Sequence, residues 1–348
     1  MKHAIRFFAL SIVIATMFAP TEVKAQDTHF SQFTMTPLQL NPANTCEREY
    51  LRAILNYKNQ WSSVAEAYKT YNFSYDMILS KKKGIKGFSA VGADILNDKA
   101  GDANFKTFQA TLAYSYHVFL NEKSTLGGGI SGSYLQRSFN ASSFQWGNQY
   151  DGSAYNANLT TGENFKTPNF SFFDLAGGVH WRYNKSERYM TGNDQLSFNA
   201  GIAFFHLTRP KHSFNGSDER LYMKKVFYAN GLIGLSNTKS SIVPGIAVFM
   251  QGKSNEILFG ALYKYQFQED SRYTENIKAS AISMGGYYRN KDAVIAKLMY
   301  EFSGYAIGIS YDINVSGLKT ASNGLGGIEI SLKFINPSPF LYKNKASM

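Results

Sequence analysis

Hydrophobic and polar residues alternate along much of this chain. From Tyr305 to Asn314 the odd positions are Tyr, Ile, Ile, Tyr and Ile, and the even positions are Ala, Gly, Ser, Asp and Asn. A period of two predicts a β-strand with one apolar and one polar face. The pattern recurs over residues 71–79 and 227–235. Each segment has about ten residues, which suits a tilted strand that crosses a bilayer and exceeds the usual length in soluble sheets.

Segments of this kind follow one another through the body of the chain. We predict strands over residues 51–60, 69–79, 88–96, 105–119, 125–139, 170–183, 195–208, 223–235, 241–251, 256–267, 277–289, 293–302, 305–314 and 327–334. An even number of antiparallel strands can close with both chain ends on one side, as in bacterial outer-membrane barrels, and closure removes exposed sheet edges. The predicted fold is therefore all-β, an antiparallel transmembrane β-barrel of about 14 strands in the cell outer membrane.

The predicted connections differ in length between the two sides of the barrel. Those after odd-numbered strands total about 79 residues and those after even-numbered strands about 40, and the longest is 140–169. In outer-membrane barrels the long loops face the exterior and the short turns face the periplasm. We therefore expect the connection 140–169 to lie outside the cell.

The parity of the strands also predicts which charged side chains point into the barrel. If the more apolar face meets lipid, the inward charges are Arg52, Lys58, Arg137, Arg182, Lys264, Lys297 and Lys333 against Asp76, Asp94, Asp174, Glu301, Asp312 and Glu329. We predict a polar network in the lumen built on Arg52, Asp76, Asp174, Arg182, Glu301, Asp312 and Glu329. Near-balance of charge favours ion pairs and a plugged barrel, because an unpaired charge shielded from water is costly. A wide pore is the alternative.

The N-terminus has the pattern of a secretory signal peptide. Lys2 and Arg6 precede an apolar stretch, and Val23 and Ala25 suit a signal-peptidase site before Gln26. We predict a cleaved signal peptide at residues 1–25, a short periplasmic or plug segment at 26–50, the barrel at 51–334 and a C-terminal tail at 335–348. Beyond the signal peptide no apolar run approaches the ~18 residues of a spanning helix.

Composition and charge narrow the class of partner. Aromatic residues make up 15% of the 348 and charged residues 18%, against about 25% charged in ordinary soluble domains. The net charge of +11 falls to about +9 after cleavage. Because an exported chain does not meet nucleic acid, outer-membrane lipid or an acidic protein suits this charge better. Cys46 is the single cysteine, which excludes an intramolecular disulfide and a four-cysteine zinc site.

No motif indicates catalysis, a cofactor or a metal site. Residues 127–132 match G-x-G-x-x-G, but the strand continues where a nucleotide site needs a helix. We interpret these glycines as places where a plug or a neighbouring backbone approaches closely. The histidines lack H-E-x-x-H spacing, and no serine lies in G-x-S-x-G. We expect a protein without enzymatic activity, and a barrel hydrolase is the least favoured alternative.

Short motifs along the chain resemble those of one known family. They lie, in order, at residues 27–33 (DTHFSQF), 37–43 (PLQLNPA), 56–61 (NYKNQW), 74–76 (SYD), 97–101 (NDKAG), 206–210 (HLTRP), 310–312 (SYD) and 326–332 (GGIEISL). In number and order they are similar to the PorP/SprF family, outer-membrane proteins of the type IX secretion system. The resemblance implies a non-enzymatic component that helps to export a secreted cargo, or to anchor a surface adhesin, together with other secretion components.

Two parts of the chain have features suited to protein contact. The connection 140–169 carries Trp146, Tyr150 and Tyr155 among Asn, Ser, Thr and Gly, a composition typical of binding loops. A loop folded over its own barrel mouth is the alternative. The N-terminal segment supplies a second set of predicted partner-binding residues, at Phe30, Gln32, Phe33, Asn41 and Pro42. For the whole protein, a porin or a transporter of small or hydrophobic solutes is the alternative function.

Overall fold

Fourteen antiparallel strands close into one barrel. The computed structural model describes residues 27–46, 50–62, 66–80, 87–101, 104–140, 144–162, 168–185, 188–189, 192–193, 195–214, 217–268, 279–317 and 319–336. Each barrel strand pairs with its neighbours along the chain, and the first strand pairs with the last over Leu51↔Asn336 to Gln60↔Gly327. The predicted barrel fold is confirmed. The predicted signal peptide and most of the predicted tail lie outside the described residues.

The strands agree closely with the sequence pattern. They are β1 (Leu51–Gln60), β2 (Tyr68–Ser80), β3 (Gly87–Ala100), β4 (Phe105–Phe119), β5 (Ser124–Ser138), β6 (Asn169–Lys185), β7 (Arg188–Tyr189), β8 (Gly192–Asn193), β9 (Leu196–Phe205), β10 (Lys224–Gly234), β11 (Ser240–Gln251), β12 (Ser254–Gln268), β13 (Ser280–Arg289), β14 (Ala293–Phe302), β15 (Tyr305–Asn314) and β16 (Leu325–Asn336). The short β7 and β8 pair only with each other, and the rest form the barrel.

Helices are few and short. They are 3₁₀ turns at Phe33–Met35, Pro42–Asn44 and Gly147–Gln149, and α-helical turns at Pro37–Leu40 and Lys319–Ser322. Across the described ranges, none is long and apolar enough to span a membrane.

The two ends of the barrel differ in their connections. We call the end where β1 begins and β16 finishes the periplasmic end, and the opposite end the outer end. The connections 139–168 and 206–223 lie at the outer end, whereas β14 and β15 are joined at the periplasmic end by residues 303–304 alone. Long loops face the exterior in barrels of this kind, which is the basis for these two names.

The alternation of residue types becomes an alternation of burial. Along β15 every odd residue is exposed and every even residue is buried, so Ile309 is 43% exposed and Ser310 is 1% exposed. The odd residues are apolar and face outward, where a membrane protein meets hydrocarbon. The even residues face the lumen.

The inner wall is polar on one side and largely apolar on the other. Buried polar residues such as Asn56, Asn72 and Asp94 belong to β1–β3. On β9–β14 many inward residues form an apolar cluster, which includes Val226, Phe249, Leu258, Leu262 and Ile295. Charged residues such as Glu256, Arg289 and Lys297 are buried on the same strands, so on this side the rule that the interior is polar applies only in part.

The charged residues that parity assigns to the lumen lie on the inner face. Those that are buried are Lys58, Lys297, Asp76, Asp94, Asp174, Asp312 and Glu329, and those that are partly buried are Arg52, Arg137, Arg182, Lys264, Glu301 and Lys333. Parity alone would suggest that arginine at Ser310 is tolerated better than arginine at Ile309. The structure changes this expectation, because Ser310 lies in a filled interior where a larger side chain would be overpacked.

Ile309→Arg tests the lipid-facing side of β15. The substitution puts a charge into hydrocarbon near the middle of the strand, which should lower the free energy of unfolding by about 2–4 kcal/mol. Ile309→Val, the matched control, keeps the site apolar and should lower it by roughly 0.5–1.5 kcal/mol or less. Urea titration of the protein refolded into lipid vesicles measures both values. Equal values for the two variants would contradict the assignment of this face to lipid.

Candidate functional site

Residues 27–46 pass through the barrel and form the candidate functional site. We call this stretch the lumen segment. Asp27 lies at the outer end, where its backbone N–H donates to Gln251 Oε1 over 3.0 Å. Cys46 lies at the periplasmic end, where its backbone N–H donates to Asp76 Oδ2 over 3.1 Å. The chain therefore crosses the lumen from the outer end to the periplasmic end before β1 returns through the wall.

Local sequence signals shape the lumen segment. Pro37 and Pro42 each occupy the start of a helical turn, where the missing N–H of proline is not needed. Asn41 precedes the second turn, and its side-chain oxygen accepts a hydrogen bond from the Ala43 N–H over 2.8 Å, as an N-terminal cap does. These turns keep the segment compact inside the barrel.

The outer part of the lumen segment is held by the carboxylate of Glu329. Its two oxygens accept hydrogen bonds from the backbone N–H groups of Ser31 and Gln32, over 2.8 and 3.0 Å. Lys58 lies 3.2 Å from the same carboxylate and also donates to the His29 carbonyl over 2.9 Å. Two backbone donors and one ammonium group therefore meet at the Glu329 carboxylate, which fixes the position of the segment against β1 and β16.

A second buried ion pair, between β13 and β15, contacts the lumen segment near Ser31. Arg289 binds Asp312, and the Ser31 hydroxyl donates to Asp312 over 2.7 Å. His29 Nε2 lies 3.1 Å from Glu256 Oε2 and 3.2 Å from Arg289 Nη1. The Arg289 and Asp312 side chains are both about 2% exposed, so loss of Arg289 would remove the ion-pair partner of a buried carboxylate, which is costly.

The middle of the lumen segment joins the polar and apolar walls. Gln39 donates to Asp94 over 2.5 Å on the polar side, and Asn56 donates to the Met35 carbonyl over 3.0 Å. On the other side Phe33 packs edge-on against Tyr287, with ring centroids 5.9 Å apart, and Leu40 joins the same apolar cluster. The segment thus satisfies acceptors on one wall and covers apolar surface on the other.

Two glycines allow the turn at Asn41 and Pro42 to touch the wall. Asn41 donates from Nδ2 to the Val179 carbonyl over 2.9 Å. A Cβ at Gly178 would lie 2.2 Å from Asn41 Oδ1, and a Cβ at Gly129 would lie 2.5 Å from the Ala43 nitrogen. The prediction that the glycines of residues 127–132 permit close approach is therefore confirmed at Gly129.

At the periplasmic end, Asp76 collects the last contacts of the lumen segment. Arg52 binds Asp76 through two nitrogens, with Nε at 3.1 Å, and donates from Nη2 to the Asn44 carbonyl over 2.7 Å. Ser115 and His117 both lie within hydrogen-bond distance of the Thr45 carbonyl. The segment is therefore anchored to β1, β2 and β4 where it leaves the lumen.

At the outer end, Asp27 is held by a hydrogen-bonded network that includes a histidine and a second aspartate. His206 Nε2 lies 2.5 Å from Asp27 Oδ2, and His206 Nδ1 lies 2.9 Å from Asp174 Oδ2. Thr208 donates to the other Asp174 oxygen over 2.8 Å, and Arg137 Nη2 lies 3.4 Å from Asp27. We call this arrangement the outer latch.

The charges of the outer latch reinforce one another. Burial alone would lower the pKa of His206, but Asp27 and Asp174 outweigh it and raise this pKa to about 9. Burial would likewise raise the pKa of Asp27, but His206 outweighs it and holds this pKa far below its usual range. At neutral pH the ring of His206 is therefore protonated and donates to both carboxylates.

Aromatic rings at the base of the connection 139–168 pack against the connection 206–223. Trp146 packs against Phe144, whose ring lies 6.1 Å from that of Phe139, and Phe139 in turn contacts Phe214 of the connection 206–223. Gln149 is buried and donates to the carbonyls of residues 157 and 159. This gives the loop a defined shape.

Tyr150 and Tyr155 lie on the exposed side of that loop. They are 59% and 42% exposed and face each other in a backbone bridge. Trp146, in contrast, is half-buried in the aromatic cluster. Of the three aromatic residues that the sequence singles out in this loop, two are thus presented to the exterior and one supports the fold of the loop.

The predicted partner residues of the N-terminus are enclosed in the lumen. They are Phe30, Gln32, Phe33, Asn41 and Pro42, and all are buried against the barrel wall. They would reach another protein only if the lumen segment moved, and their role in partner binding stays a prediction. Among the predicted lumen network, Asp76, Asp174, Asp312 and Glu329 bind the segment or its latch directly or through His206, whereas Glu301 pairs with Lys264.

Sequence reasoning missed several residues of the site. Arg289 and Glu256 lie near strand ends, where parity carries little weight. No role in the site was predicted for Asp27, His29 or His206. All three lie in family-like motifs, and the histidines lack the spacing of metal ligands. The available signal was their place in the DTHFSQF and HLTRP motifs, which the fold brings together at the outer end. Within the part of the chain that the structure describes, no group of three acidic, cysteine or histidine residues is placed to hold a metal ion.

Sequence comparison assigns the chain to a family. Residues 22–334 match the family described as type IX secretion system membrane protein PorP/SprF. The chain belongs to the PorP/SprF family. The chain is therefore an outer-membrane protein of the type IX secretion system, which agrees with its closed barrel and apolar outer face. No curated protein matches this PorP/SprF chain.

Solved structures similar to this PorP/SprF protein are outer-membrane barrels. The CymD monoaromatic hydrocarbon channel is 11% identical, with 91% of this chain and 95% of that chain covered and a TM-score of 0.41. A Pseudomonas aeruginosa FadL homologue is 10% identical, with coverage of 85% and 92% and a TM-score of 0.43. BamA from Haemophilus ducreyi lacking POTRA domains 1-3 is 10% identical, with coverage of 83% and 70% and a TM-score of 0.41.

Gly129→Val tests the contact between the lumen segment and β5. The new side chain would collide with the backbone at Ala43 and should lower the free energy of unfolding by about 1–3 kcal/mol. We also expect higher ion conductance in planar bilayers, because the turn at Pro42 would be displaced. Gly128→Val is the matched control, since a Cβ at Gly128 meets no atom within 4 Å. Wild-type stability and conductance in both variants would contradict this contact.

His206→Gln tests the electrostatics of the outer latch. The folded pKa of about 9 lies above the usual value near 6.5. The stabilisation is therefore complete below about pH 6.5 and is lost as pH rises through about 9. The difference in unfolding free energy between wild type and variant should reach up to about 3 kcal/mol at low pH and shrink above pH ~9. Chemical unfolding across this pH range measures it.

His212→Gln is the control for this pH profile. His212 lies in the same connection, but burial and then Arg137 lower its pKa to about 4. Its protonation therefore does not stabilise the fold in the window between about pH 6.5 and 9. A flat difference profile for His206→Gln, or the same profile for both variants, would show that the latch is not electrostatic.

Proposed function

We propose that this protein is a non-enzymatic component of type IX secretion that helps to export a large cargo or to anchor it at the cell surface. The observation that carries the proposal is the filled lumen. Cavities beside the lumen segment measure about 10, 30 and 10 Å³, room for about one or two water molecules each. In this conformation the barrel offers no route for a solute at these places, so its outer surface is the better candidate for function.

The folded outer loop supports a role in contact with a protein. Tyr150 and Tyr155 are presented on a loop whose shape is fixed by Gln149 and the aromatic cluster. Large, rigid aromatic side chains on a preorganised loop give contact area at low entropic cost. We infer that this surface contacts the cargo, a surface adhesin or another secretion component.

Family membership and side-chain chemistry both favour a role without catalysis. The buried acids and histidines of the lumen are engaged with the segment itself, as at Glu329 and Asp312, and not with an open cleft. A reacting group needs access to a substrate. We therefore propose that the barrel binds and positions a protein partner and catalyses no reaction.

Deleting the protein distinguishes secretion from solute transport. In the deletion strain we expect one or a few large proteins to leave the cell surface, while uptake of small and hydrophobic solutes remains unchanged. Surface proteomics and uptake of labelled solutes measure the two effects. Slower uptake with an intact surface proteome would favour the porin or transporter function and would refute the proposal.

The double variant Tyr150→Ala with Tyr155→Ala tests the contact surface. Exposed aromatic anchors often carry most of the binding energy of an interface, so cargo display should fall about tenfold or more while the barrel still inserts. Leu120→Ala is the control, because Leu120 is 56% exposed in a turn at the periplasmic end. Heat-dependent gel mobility reports insertion. Normal display in the double variant would place the contact elsewhere.

A further inference from the structure

Three lysines form a row on the outer face of the barrel at its outer end. Lys69 of β2 lies directly opposite Lys99 of β3, and Lys99 lies directly opposite Lys106 of β4. The residue that follows each of Lys69 and Lys106, and the one that precedes Lys99, is buried in the lumen. Since successive side chains of a strand point to opposite faces, all three lysines point away from the lumen. We call them the lysine row.

The lysine row has no internal counter-charge in the described ranges. None of the three lysines makes an ion pair or a side-chain hydrogen bond there, and its neighbours in register are the neutral Asn59 and Ser138. Like charges directly opposite one another destabilise a sheet. Adjacent strands are about 4.8 Å apart, so the three ammonium groups repel one another. An anion bound between them would relieve this repulsion.

The height of the lysine row matches the headgroup layer of a membrane. Two residues deeper on β2 is Tyr71, which lies opposite Tyr57 of the adjacent strand β1, and the two rings are 5.1 Å apart. Two residues deeper again the outward positions are the exposed apolar Leu55, Phe73 and Ile95. Aromatic girdles mark the boundary of the apolar band in outer-membrane barrels. The lysines therefore stand about 7 Å beyond the aromatic row, outside the hydrocarbon.

We propose that Lys69, Lys99 and Lys106 together bind a phosphate group of an outer-leaflet glycolipid. A phosphate supplies the missing counter-charge at the height where such groups lie, and a lysine binds phosphate as a point charge that needs no fixed geometry. The acyl chains of the same lipid would lie along Phe73 and Ile95 beneath the row. A free phosphate would gain nothing from that apolar surface. The site goes beyond the proposed secretion role and does not depend on it.

Binding of added lipids to the full mature protein in detergent tests the site. The probes are phosphorylated lipid A, the same lipid A after removal of its phosphates, phosphatidylglycerol and inorganic phosphate, with binding measured by native mass spectrometry. For the wild type we expect phosphorylated lipid A to bind at least tenfold more tightly than the dephosphorylated form. In the triple variant Lys69→Gln, Lys99→Gln and Lys106→Gln this preference should disappear.

A charge-matched variant controls for the loss of three positive charges. Lys225→Gln, Lys253→Gln and Lys291→Gln remove three lysines at the outer end of other strands and turns and should keep the tenfold preference. If the triple variant of the row does not insert, as judged by gel mobility, Lys99→Gln alone should reduce the preference about threefold.

Five results would each overturn the proposal. Unchanged binding in the triple variant or in Lys99→Gln would remove the row from the site, and an equal loss in the charge-matched variant would show a general charge effect. Equal affinity for phosphatidylglycerol would exclude a preference for the glycolipid. Full competition by millimolar inorganic phosphate would show recognition of the free anion instead of the lipid.

Discussion

The contact between the lumen segment and the inner wall is the interaction on which this barrel depends. An eight-stranded barrel can fill its interior with its own side chains, but fourteen strands enclose a wider space. Without residues 27–46, the apolar wall around Leu258 and Ile295 would be unpacked, and Glu329 would lose two backbone hydrogen bonds. One segment meets both requirements. Its Phe33 and Leu40 face the apolar wall, and its backbone donors meet the buried carboxylates. The number of strands determines the width of the lumen, and the lumen segment fills the space that the side chains of the wall leave.

The buried charges of the lumen are tolerable because the segment supplies uncharged donors. Glu329 has Lys58 as its counter-ion and the N–H groups of Ser31 and Gln32 as further partners. Asp94 has no counter-ion among these contacts and relies on the side-chain amides of Gln39 and Asn72. A buried charge is retained at acceptable cost only when its remaining lone pairs are satisfied. The same contacts fix the register of the segment, since a shift of one residue would unpair several acceptors together.

The fold was predictable from sequence to a greater extent than the site. The period of two is a local signal, so β1, β14 and β15 begin and end at the predicted residues. The contacts of the lumen segment join residues far apart in the chain, such as Gln32 and Glu329, and no local pattern encodes such a pairing. The apolar wall also weakened the parity rule, because on β10 and β12 both faces carry apolar residues. The glycines at 127–132 were informative, since Gly129 touches the segment, but its partner Ala43 was not foreseeable.

The two ends of the lumen segment are held by different contacts. At the periplasmic end the segment continues covalently toward β1 and is fixed by Asp76. At the outer end Asp27 is held by His206, which belongs to the connection 206–223. The same connection carries Phe214, which packs against Phe139 at the base of the loop with Tyr150 and Tyr155. Phe214 also contacts the ring of His212, which lies beside Arg137, and Arg137 in turn lies 3.4 Å from Asp27. Side-chain contacts therefore connect the base of that loop with the latch. The described contacts of Asp27 are hydrogen bonds and ion pairs with His206, Arg137 and Gln251, so charge complementarity between separate parts of the chain holds the outer end.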